Sequence, residues 1–323
     1  MLTRRAMMGG LMAAPALAPP AGAQTDYPQG TIRSICPFAA GSGADLKVRW
    51  YANKLADALK RTVIVENRPG AFGNIATETV AKSKPDGLTI YVAPGASVLA
   101  AVPSLFKKLP FDPVNDFEHL TTLNVSAFVL AVSAASPATT VAELTQLLRR
   151  KADKATYGSI ANPGLVSSEI YKAAFGLTTT EVKYKDTGPM INDLIGGQID
   201  FFHIDATILA DYLQSGKLRA LATSTAKRLQ SMPDIPGAEE AGIKGLDVRT
   251  WWSVHVPAKT PKAVCDRLEA EFNVIAVAPD TVKFLATTGS DPPPGNAALL
   301  RQMLLDDTKA WAGYVKLARI EPQ

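Results

Sequence analysis

The sequence predicts an α/β protein made of two units, each with a parallel sheet flanked by helices. Short β-branched or aromatic runs alternate with stretches of helical periodicity along most of the chain. The chain has 323 residues, which is long for one globular unit and sufficient for two. Apolar residues make up 47% and charged residues 20%, a balance that excludes collagen-like, coiled-coil and disordered proteins.

The charge balance gives no indication of a nucleic-acid partner. Lys and Arg total 34 and Asp and Glu total 30, which leaves a net charge of only +4. We expect no nucleic acid among the partners, because a surface that binds it needs a concentrated basic patch. The function must therefore be sought in local sites.

Residues 1–23 have the pattern of an export signal. Arg4 and Arg5 precede an acid-free apolar run over residues 6–17, and small residues end at Ala21-Gly22-Ala23, an A-x-A cleavage pattern. A membrane-anchoring helix is disfavoured, because prolines interrupt the segment and the run is shorter than about 20 residues. We expect cleavage near Ala23. The arginine pair is compatible with both ordinary secretion and the twin-arginine route.

A βαβαβ series opens the first unit. Its predicted elements are a strand over residues 31–36, a helix over 45–60, a strand over 63–66, a helix that ends near 84 and a strand over 88–93. The first helix is predicted from an apolar face that includes Val48, Tyr51 and Leu55. The connections predict parallel strands with right-handed crossovers.

A second series begins near Val125, and a third section follows it. Strands are predicted at 128–132, 156–159, 181–184, 199–204 and 218–223, and helices at 140–150, 167–175, 189–195 and 206–213. The third section contains a strand over 249–256 and two long helices over 261–278 and 297–318. Helices in this position commonly return to the first unit, which would make that unit discontinuous.

The two cysteines allow either a disulfide or free thiols. Cys36 lies in an apolar strand and Cys265 in a predicted helix, and no spacing rule links them. Export would place them in an oxidising compartment. Buried free thiols are the favoured interpretation, and pairing stays open.

The most informative segment lies between the first strand and the first helix, over residues 37–45. Its small residues let backbone N–H groups approach a ligand, and Ser42 adds a hydroxyl. The helix N-terminus adds partial positive charge, so the expected ligand is an anion. Asp45 is predicted as the helix N-cap. The alternative is a tight turn without a ligand, because neither the dinucleotide-binding nor the phosphate-loop pattern is present.

Three further segments carry small or polar residues after predicted strands, over residues 94–97, 159–164 and 184–189. Ligands of doubly wound sheets bind beyond the carboxyl ends of strands, so the four segments can converge on one cleft. Lys185 is the cation among them, and the alternative for it is a solvated loop lysine.

Catalysis finds little support in the sequence. The histidines His119, His203 and His255 are far apart, and no hydrolase or metalloprotease motif occurs. His203 and Asp205 end a predicted strand and could form an acid/base pair, but a structural or ligand-orienting role is favoured. Of the adjacent Trp251 and Trp252, one is expected in the core and either could form an aromatic wall.

A set of ordered stretches carries a family resemblance. They are Pro37-Phe38 with the loop to Asp45; residues 65–70 with Gly73-Asn74-Ile75; Ala81-Lys82 with Pro85-Asp86-Gly87; residues 108–113; Tyr184-Lys185; residues 193–200; residues 216–222; and residues 232–236 with Glu240-Ala241-Gly242. Together they resemble the periplasmic solute-binding proteins of tripartite tricarboxylate transporters, the TctC or Bug family.

The resemblance implies a two-lobed type II periplasmic binding protein fold with the ligand cleft between the lobes. It places lobe 1 at residues 24–124 and 226–323 and lobe 2 at 125–225, with crossovers near Val125 and Thr223. It implies capture of a small organic carboxylate in the periplasm, through backbone amides, hydroxyls and waters. It also implies delivery of that ligand to separate large and small membrane subunits.

Three departures from the family pattern bear on the ligand. The first loop reads Ala39-Ala40-Gly41-Ser42-Gly43, where relatives have a proline and more glycines. Residues 159–168 lack the Ser-Gly-x-Gly-Ser pattern and nearby histidine of relatives. Asp186 stands where glycine is usual, and an acid beside Lys185 weakens the attraction for an extra carboxylate. A monocarboxylate, or a ligand with a cationic group, is therefore favoured over citrate.

We therefore predict an exported, non-enzymatic solute-binding protein, a monomer with no cofactor, no metal and no catalytic residue. An extracytoplasmic sensor with the same fold, or a periplasmic enzyme that uses His203 and Asp205, are the alternatives. The predicted cleft residues are Phe38, Ala40, Gly41, Ser42, Gly43, Ala96, Ser97, Ser159, Asn162, Lys185, Thr187 and Asp205.

Overall fold

The computed structural model describes residues 27–160, 162–184, 186–293 and 295–323. The predicted signal peptide, residues 1–23, and the predicted cleft residue Lys185 lie outside the described residues. For Asn162, the structure describes the backbone.

Strands and helices alternate along the described chain, as the sequence predicts. The strands are β1 Ile32–Cys36, β2 Val63–Asn67, β3 Thr89–Ala93, β4 Phe117–Ser133, β5 Thr156–Ser159, β6 Thr180–Lys183, β7 Phe201–Asp205, β8 Leu218–Thr223, β9 Arg249–Pro257 and β10 Ser290–Asp291. The helices are α1 Gly43–Leu59, α2 Asn74–Ala81, α3 Val102–Leu105, α4 Val141–Lys151, α5 Asn162–Phe175, α6 Thr187–Ile195, α7 Ala206–Gln214, α8 Lys262–Val277, α9 Pro279–Ala286 and α10 Ala297–Leu317. A π-helical turn, Ala96–Ala100, precedes α3.

The predicted parallel βαβαβ series is confirmed in the first part of the chain. Strands β2, β1 and β3 are neighbours in that order, and both pairings are parallel. Helices α1 and α2 are the crossovers between them. The α1 face that contains Val48, Tyr51 and Leu55 is buried, as its periodicity predicts.

The long strand β4 joins the two halves of the sheet. Its first part, through Ala127, pairs antiparallel with β9, which in turn pairs with β3. Its second part, from Phe128 to Ser133, pairs antiparallel with β7 and β8. The section from residue 249 onward thus returns to the half that holds β1, β2 and β3.

The prediction was wrong about the length of β4. The sequence predicts a strand only over 128–132, but the strand begins at Phe117, and two of its polar residues, His119 and Thr121, find partners inside the fold. His119 Nδ1 lies 2.8 Å from His255 Nδ1 on β9. The Thr121 hydroxyl donates to Asn273 Oδ1 on α8 at 2.6 Å. These tertiary bonds allow polar side chains on a covered strand.

The other half of the sheet has the order β4-β7-β5-β6, in which β7, β5 and β6 are parallel. Helix α5 begins at Asn162 and not near Ser167 as predicted. Pro163 in its first turn is compatible with this start, because the first helical turn needs no N–H donor for the helix ladder. Because α5 starts earlier than predicted, Pro163 lies at its N-terminal end. This end of the helix faces the junction of the two halves.

The adjacent tryptophans of β9 are both buried, on opposite faces of the sheet. Trp251 belongs to the core that α10 covers, and its indole Nε1 donates to Asp307 Oδ2 at 2.6 Å. Trp252 belongs to the core under α1 and α8. The sequence predicted that one of the two tryptophans packs in the core, and in the structure both do.

Cys36 and Cys265 are free thiols. Cys36 is buried and Cys265 is half-buried, and both pack in the core under α1 and α8. Across the described part of the chain, the longest apolar helices still fall short of what a bilayer crossing needs.

We predict that Trp251→Phe lowers the free energy of unfolding by about 1–3 kcal/mol, because it leaves the half-buried Asp307 carboxylate without its indole donor. Burial already raises the pKa of Asp307, and the indole hydrogen bond opposes this rise. Urea unfolding measures the effect.

The matched control is Trp50→Phe. The Trp50 indole also donates to a side chain, Thr281 Oγ1 at 3.1 Å, but this acceptor is an uncharged hydroxyl. This variant should lose less than about 1 kcal/mol. Equal losses in the two variants would contradict the role given to the Asp307 contact.

Candidate functional site

Asp45 holds the loop after β1 in place, but it is not the N-cap of helix α1. Ser42 is the N-cap of α1, and its hydroxyl accepts from Asp45 N at 3.2 Å. Asp45 lies inside the first turn, and its carboxylate accepts from Gly41 N at 2.8 Å. The predicted N-cap was wrong because two residues share the task in a reciprocal arrangement close to a capping box.

The Asp45 carboxylate is a buried anchor for three segments. It is 1% exposed, and it also accepts from Arg49 Nε at 2.8 Å and from Asn67 Nδ2 at 2.7 Å. Burial raises the pKa of this carboxyl, but the hydrogen bonds outweigh burial, so the pKa lies below its ordinary value. The ionised group therefore ties α1, the end of β2 and Gly41 together.

Internal bonds use part of the loop that was predicted to bind an anion. The Ser42 hydroxyl donates to Ala39 O at 2.8 Å, and Gly41 N donates to Asp45. The first backbone bond of the α1 ladder is donated by Leu46 N, so the N–H groups of Gly43 and Ala44 lie outside that ladder. These two groups lie at the positive end of a helix of 17 residues, and they are the backbone donors of the loop left for the predicted anion.

A cavity of about 380 Å³ opens beside this loop. It is lined by Pro37, Phe38, Ala39, Pro69, Gly70, Phe72, Gly73, Ser97, Val98, Ala101, Leu105, Pro163 and Trp311. Pro163 belongs to α5, in the half with β5, β6 and β7, whereas the other residues belong to the half with β1 and β3. The cavity therefore lies where the two halves meet.

The structure brings some of the predicted residues to this cavity and leaves others outside it. Phe38 and Ser97 line it, and Ala96 is buried next to Ser97. Ala40, Gly41, Ser42 and Gly43 belong to the same loop but do not line the cavity. Asn162 directly precedes the lining residue Pro163.

The remaining described residues of the prediction lie in the half of the sheet that contains β5, β6 and β7. The Ser159 hydroxyl, at the end of β5, donates to the Glu181 carboxylate on β6. Thr187 is half-buried and begins α6, outside the cavity lining. Asp205 ends β7 and caps α7, where its Oδ1 accepts from Thr207 N at 2.9 Å.

Lys47 is a buried cation that the sequence reasoning missed. It is 6% exposed, and its Nζ lies 5.0 Å from the ring centroid of Trp252. Burial lowers the pKa of the Lys47 ammonium, and the negative charge of Asp205 acts against this fall. Within the described part of the chain, the ammonium makes no hydrogen bond or ion pair. The sequence pattern could have indicated the burial of Lys47, because Lys47 lies one turn before Tyr51 on the apolar face of α1.

A strained turn forms the opposite side of the cavity and was also missed. Ala71, Phe72 and Gly73 have successive φ values of 46°, 55° and 91°. A side chain at Gly73 would come within 2.7 Å of the Val98 side chain. Phe72 holds a left-handed conformation, and 59% of its surface is exposed beside the cavity. Strained residues of this kind often sit at ligand contacts.

His203 does not have the properties of a general base. It is buried, and its Nδ1 lies 2.9 Å from the Ser168 hydroxyl. Burial lowers the pKa of His203 to about 3, far from the neutral range that suits proton transfer at physiological pH. The arrangement favours the structural role.

A larger groove, of about 750 Å³, runs between α5 and the end of α10. Two of its three described cations are already engaged: Lys172 lies 2.6 Å from Glu169, and Lys183 lies 3.8 Å from Glu181. The smaller cavity is the stronger candidate, because the loop after β1, which the sequence singles out as an anion site, contributes to its lining.

A family profile decides the classification. The profile described as the tripartite tricarboxylate transporter family receptor, TctC, matches residues 48–319. The chain belongs to the TctC family. This confirms the resemblance seen in the sequence, and with it the two-lobed α/β binding-protein fold.

Relatives of this TctC chain match it nearly end to end. A protein of the UPF0065 group from Bordetella bronchiseptica is 32% identical over 95% of this chain and 91% of its own length. The structure of R. palustris Rpa4515 with adipate is 27% identical, with a TM-score of 0.79 over 92% of this chain and all of that one. The periplasmic binding protein BugD is 28% identical, with a TM-score of 0.75 over 92% of this chain and all of that one.

We predict that Asp45→Asn lowers the free energy of unfolding by about 1.5–3 kcal/mol at pH 7, because a charged acceptor of three hydrogen bonds is lost. The native carboxyl has a pKa below that of the unfolded chain, so its contribution is full above about pH 4 and disappears as the pH falls through the folded pKa. Urea unfolding at several pH values measures the difference.

Asp57→Asn on the exposed side of α1 is the control, with an expected change within about 0.5 kcal/mol. A difference between the Asp45 variant and the native protein that stays constant down to about pH 2 would contradict the anchor role.

Proposed function

We propose that this protein is an exported solute-binding protein that captures a small organic carboxylate between its lobes and delivers it to a tripartite tricarboxylate-type membrane transporter. The observation that carries the proposal is the cavity at the junction of the two halves, which borders the first loop and contacts α5. Membership of a family of transporter receptors supports the delivery role.

The chemistry of the first loop supports an anionic ligand. The N–H groups of Gly43 and Ala44 lie at the positive end of α1, and Lys47 adds a full positive charge one turn later. A carboxylate is stabilised by such donors. The similar structure of R. palustris Rpa4515 was solved with adipate, also a carboxylate.

The predicted site residues form part of this proposal. They are Phe38, Ala40, Gly41, Ser42, Gly43, Ala96, Ser97, Ser159, Asn162, Lys185, Thr187 and Asp205. Asp186 beside Lys185 favours a ligand with one carboxylate over citrate, because it weakens the local attraction for further negative charge.

Closure of two lobes would complete the site. We assign residues 24–124 and 226–323 to lobe 1 and residues 125–225 to lobe 2. The hinge would then lie at the crossovers near Val125 and Thr223, where β4 and β8 end their pairing with one half of the sheet. A ligand that contacts both lobes stabilises the closed state by its differential affinity for that state.

A thermal-shift and recovery experiment tests the function. At about 100 times its dissociation constant, a small organic acid should stabilise the folded protein by about 2.7 kcal/mol and raise its melting temperature. The acid should be recovered unchanged after incubation. No shift with mono-, di- or tricarboxylates, or chemical conversion of the acid, would contradict the proposal.

Export has its own test. N-terminal sequencing of the protein from the periplasmic fraction should begin at Gln24, directly after the predicted cleavage site. Recovery of a chain that begins at Met1 from the cytoplasm would overturn the export prediction.

A further inference from the structure

The described walls of the candidate cavity contain very few polar side chains. Of its 13 described lining residues, Ser97 and Trp311 alone carry a polar side-chain atom, and none carries a charge. The walls are formed mainly by aromatic rings, aliphatic chains and prolines. The polar groups that would recognise several hydroxyls or a second carboxylate are missing from these described walls.

Phe72 extends the apolar surface to the mouth of the cavity. It is a large apolar side chain with 59% of its surface exposed, and its ring meets that of Phe106 edge-on at 5.9 Å. The backbone accepts a left-handed conformation to hold it there. Exposed apolar surface next to a cavity is typical of a ligand contact.

The size of the cavity is sufficient for a substantial apolar group. An engineered apolar cavity of about 150 Å³ in another protein binds benzene. The volume of about 380 Å³ seen here therefore has room for a ring or a chain of several carbons.

We propose that the ligand is a carboxylate with an apolar body, such as a medium-chain or aromatic monocarboxylate, and that this body occupies the cavity of Phe38, Phe72, Leu105 and Trp311. This inference rests on the proposed function and names its substrate class. A body with hydroxyls or a second carboxylate is disfavoured, because a polar group buried against such walls loses water without gaining a partner.

A homologous series of straight-chain acids from propionate to octanoate tests the class by titration calorimetry. Each added methylene should tighten binding about fourfold, equivalent to about 0.8 kcal/mol per buried methylene, until the cavity is filled. Malate and citrate should bind at least about tenfold more weakly than hexanoate.

The variant Phe72→Asn tests the cavity itself. Asparagine tolerates the left-handed conformation, so the turn is preserved while the ring is lost. Affinity for hexanoate should fall about five- to tenfold, and affinity for acetate should change less than about twofold. The control is Val274→Ala on α8, an apolar side chain 68% exposed and outside the cavity lining, which should leave all affinities unchanged.

The outcomes separate this inference from the proposed function. If no acid binds, the proposed function fails. If acids bind but affinity is independent of chain length, or malate and citrate bind best, only the apolar-body inference is overturned. Equal losses of acetate and hexanoate affinity in Phe72→Asn would also overturn it.

A second inference comes from Lys47, which is independent of the cavity walls. Its ammonium lies over Trp252, whose ring centroid is 6.3 Å from that of the cavity residue Phe38. It is nine-tenths buried and makes no ion pair in the described part of the chain. A buried charge of this kind is costly unless something pairs with it.

We infer that Lys47 is the cation that pairs with the ligand carboxylate when the lobes close, which again rests on the proposed function. Asp205, which caps α7 in the other half, is the acidic group whose charge acts on Lys47. The two groups form no ion pair in the described part of the chain, so without ligand Asp205 offsets the charge of Lys47 only in part. With ligand, a carboxylate between the two halves would reach the ammonium directly.

The test compares an acid with its neutral amide in the variant Lys47→Met, which preserves side-chain length without charge. Affinity for hexanoate should fall about ten- to hundredfold, the range expected for a hydrogen bond to a charged group. Affinity for hexanamide should change less than about threefold. The variant should also melt at a higher temperature, because a largely buried charge that is only partly compensated is removed.

Lys54→Met is the matched control. Lys54 lies on the same helix, and its Nζ is 5.2 Å from the Trp50 ring centroid, but it is paired with Asp280. This variant should bind both ligands as the native protein does. Native affinity for hexanoate in Lys47→Met, or an equal loss for acid and amide, would overturn the inference.

Discussion

The architecture depends on one continuous strand that both halves of the sheet share. β4 is 17 residues long, and it pairs with β9 on one stretch and with β7 and β8 on the next. Few strands are this long, and extra residues at Leu120 and Leu123 shift its register with β9. Because β4 fixes where β9 and β7 lie, it also fixes how the loop after β1 faces the start of α5.

Two charged groups on α1 have different roles at this junction. Asp45 uses its charge inside the protein, where it holds the loop, Arg49 and Asn67. Lys47, two residues later, has no such partner among the described residues and faces Trp252. Asp45 therefore builds the loop, and Lys47 is the cation that we propose for the ligand carboxylate. In this proposal the apolar cavity selects among carboxylates by their remaining atoms.

The fold could be predicted from the sequence wherever local pattern and tertiary structure agree. The alternation of strands and helices predicted that β1, β2 and β3 are parallel, and the apolar periodicity of α1 predicted its buried face. The start of β4 was missed, because His119 and Thr121 are polar and only their partners on β9 and α8 explain their burial. The sequence around His119 and Thr121 gives no indication of those partners, which are more than 130 residues away in the chain.

The site was harder to predict than the fold for the same reason. The first loop and Ser97 were anticipated because small residues after a strand are a local signal. Leu105 and Trp311 lie far apart in the chain, and nothing local marks them as walls of one cavity. The N-cap was assigned to Asp45 because its type suits that place, whereas Ser42 occupies it and leaves the carboxylate free to bind Gly41.

The most direct measurement of the central claim is a crystal structure of the protein with a bound monocarboxylate. Our account predicts an acid between the β1 loop and Pro163, its carboxylate towards Lys47 and its body against Phe38 and Phe72. An acid bound instead in the charged groove between α5 and α10, with the cavity left empty, would contradict the account.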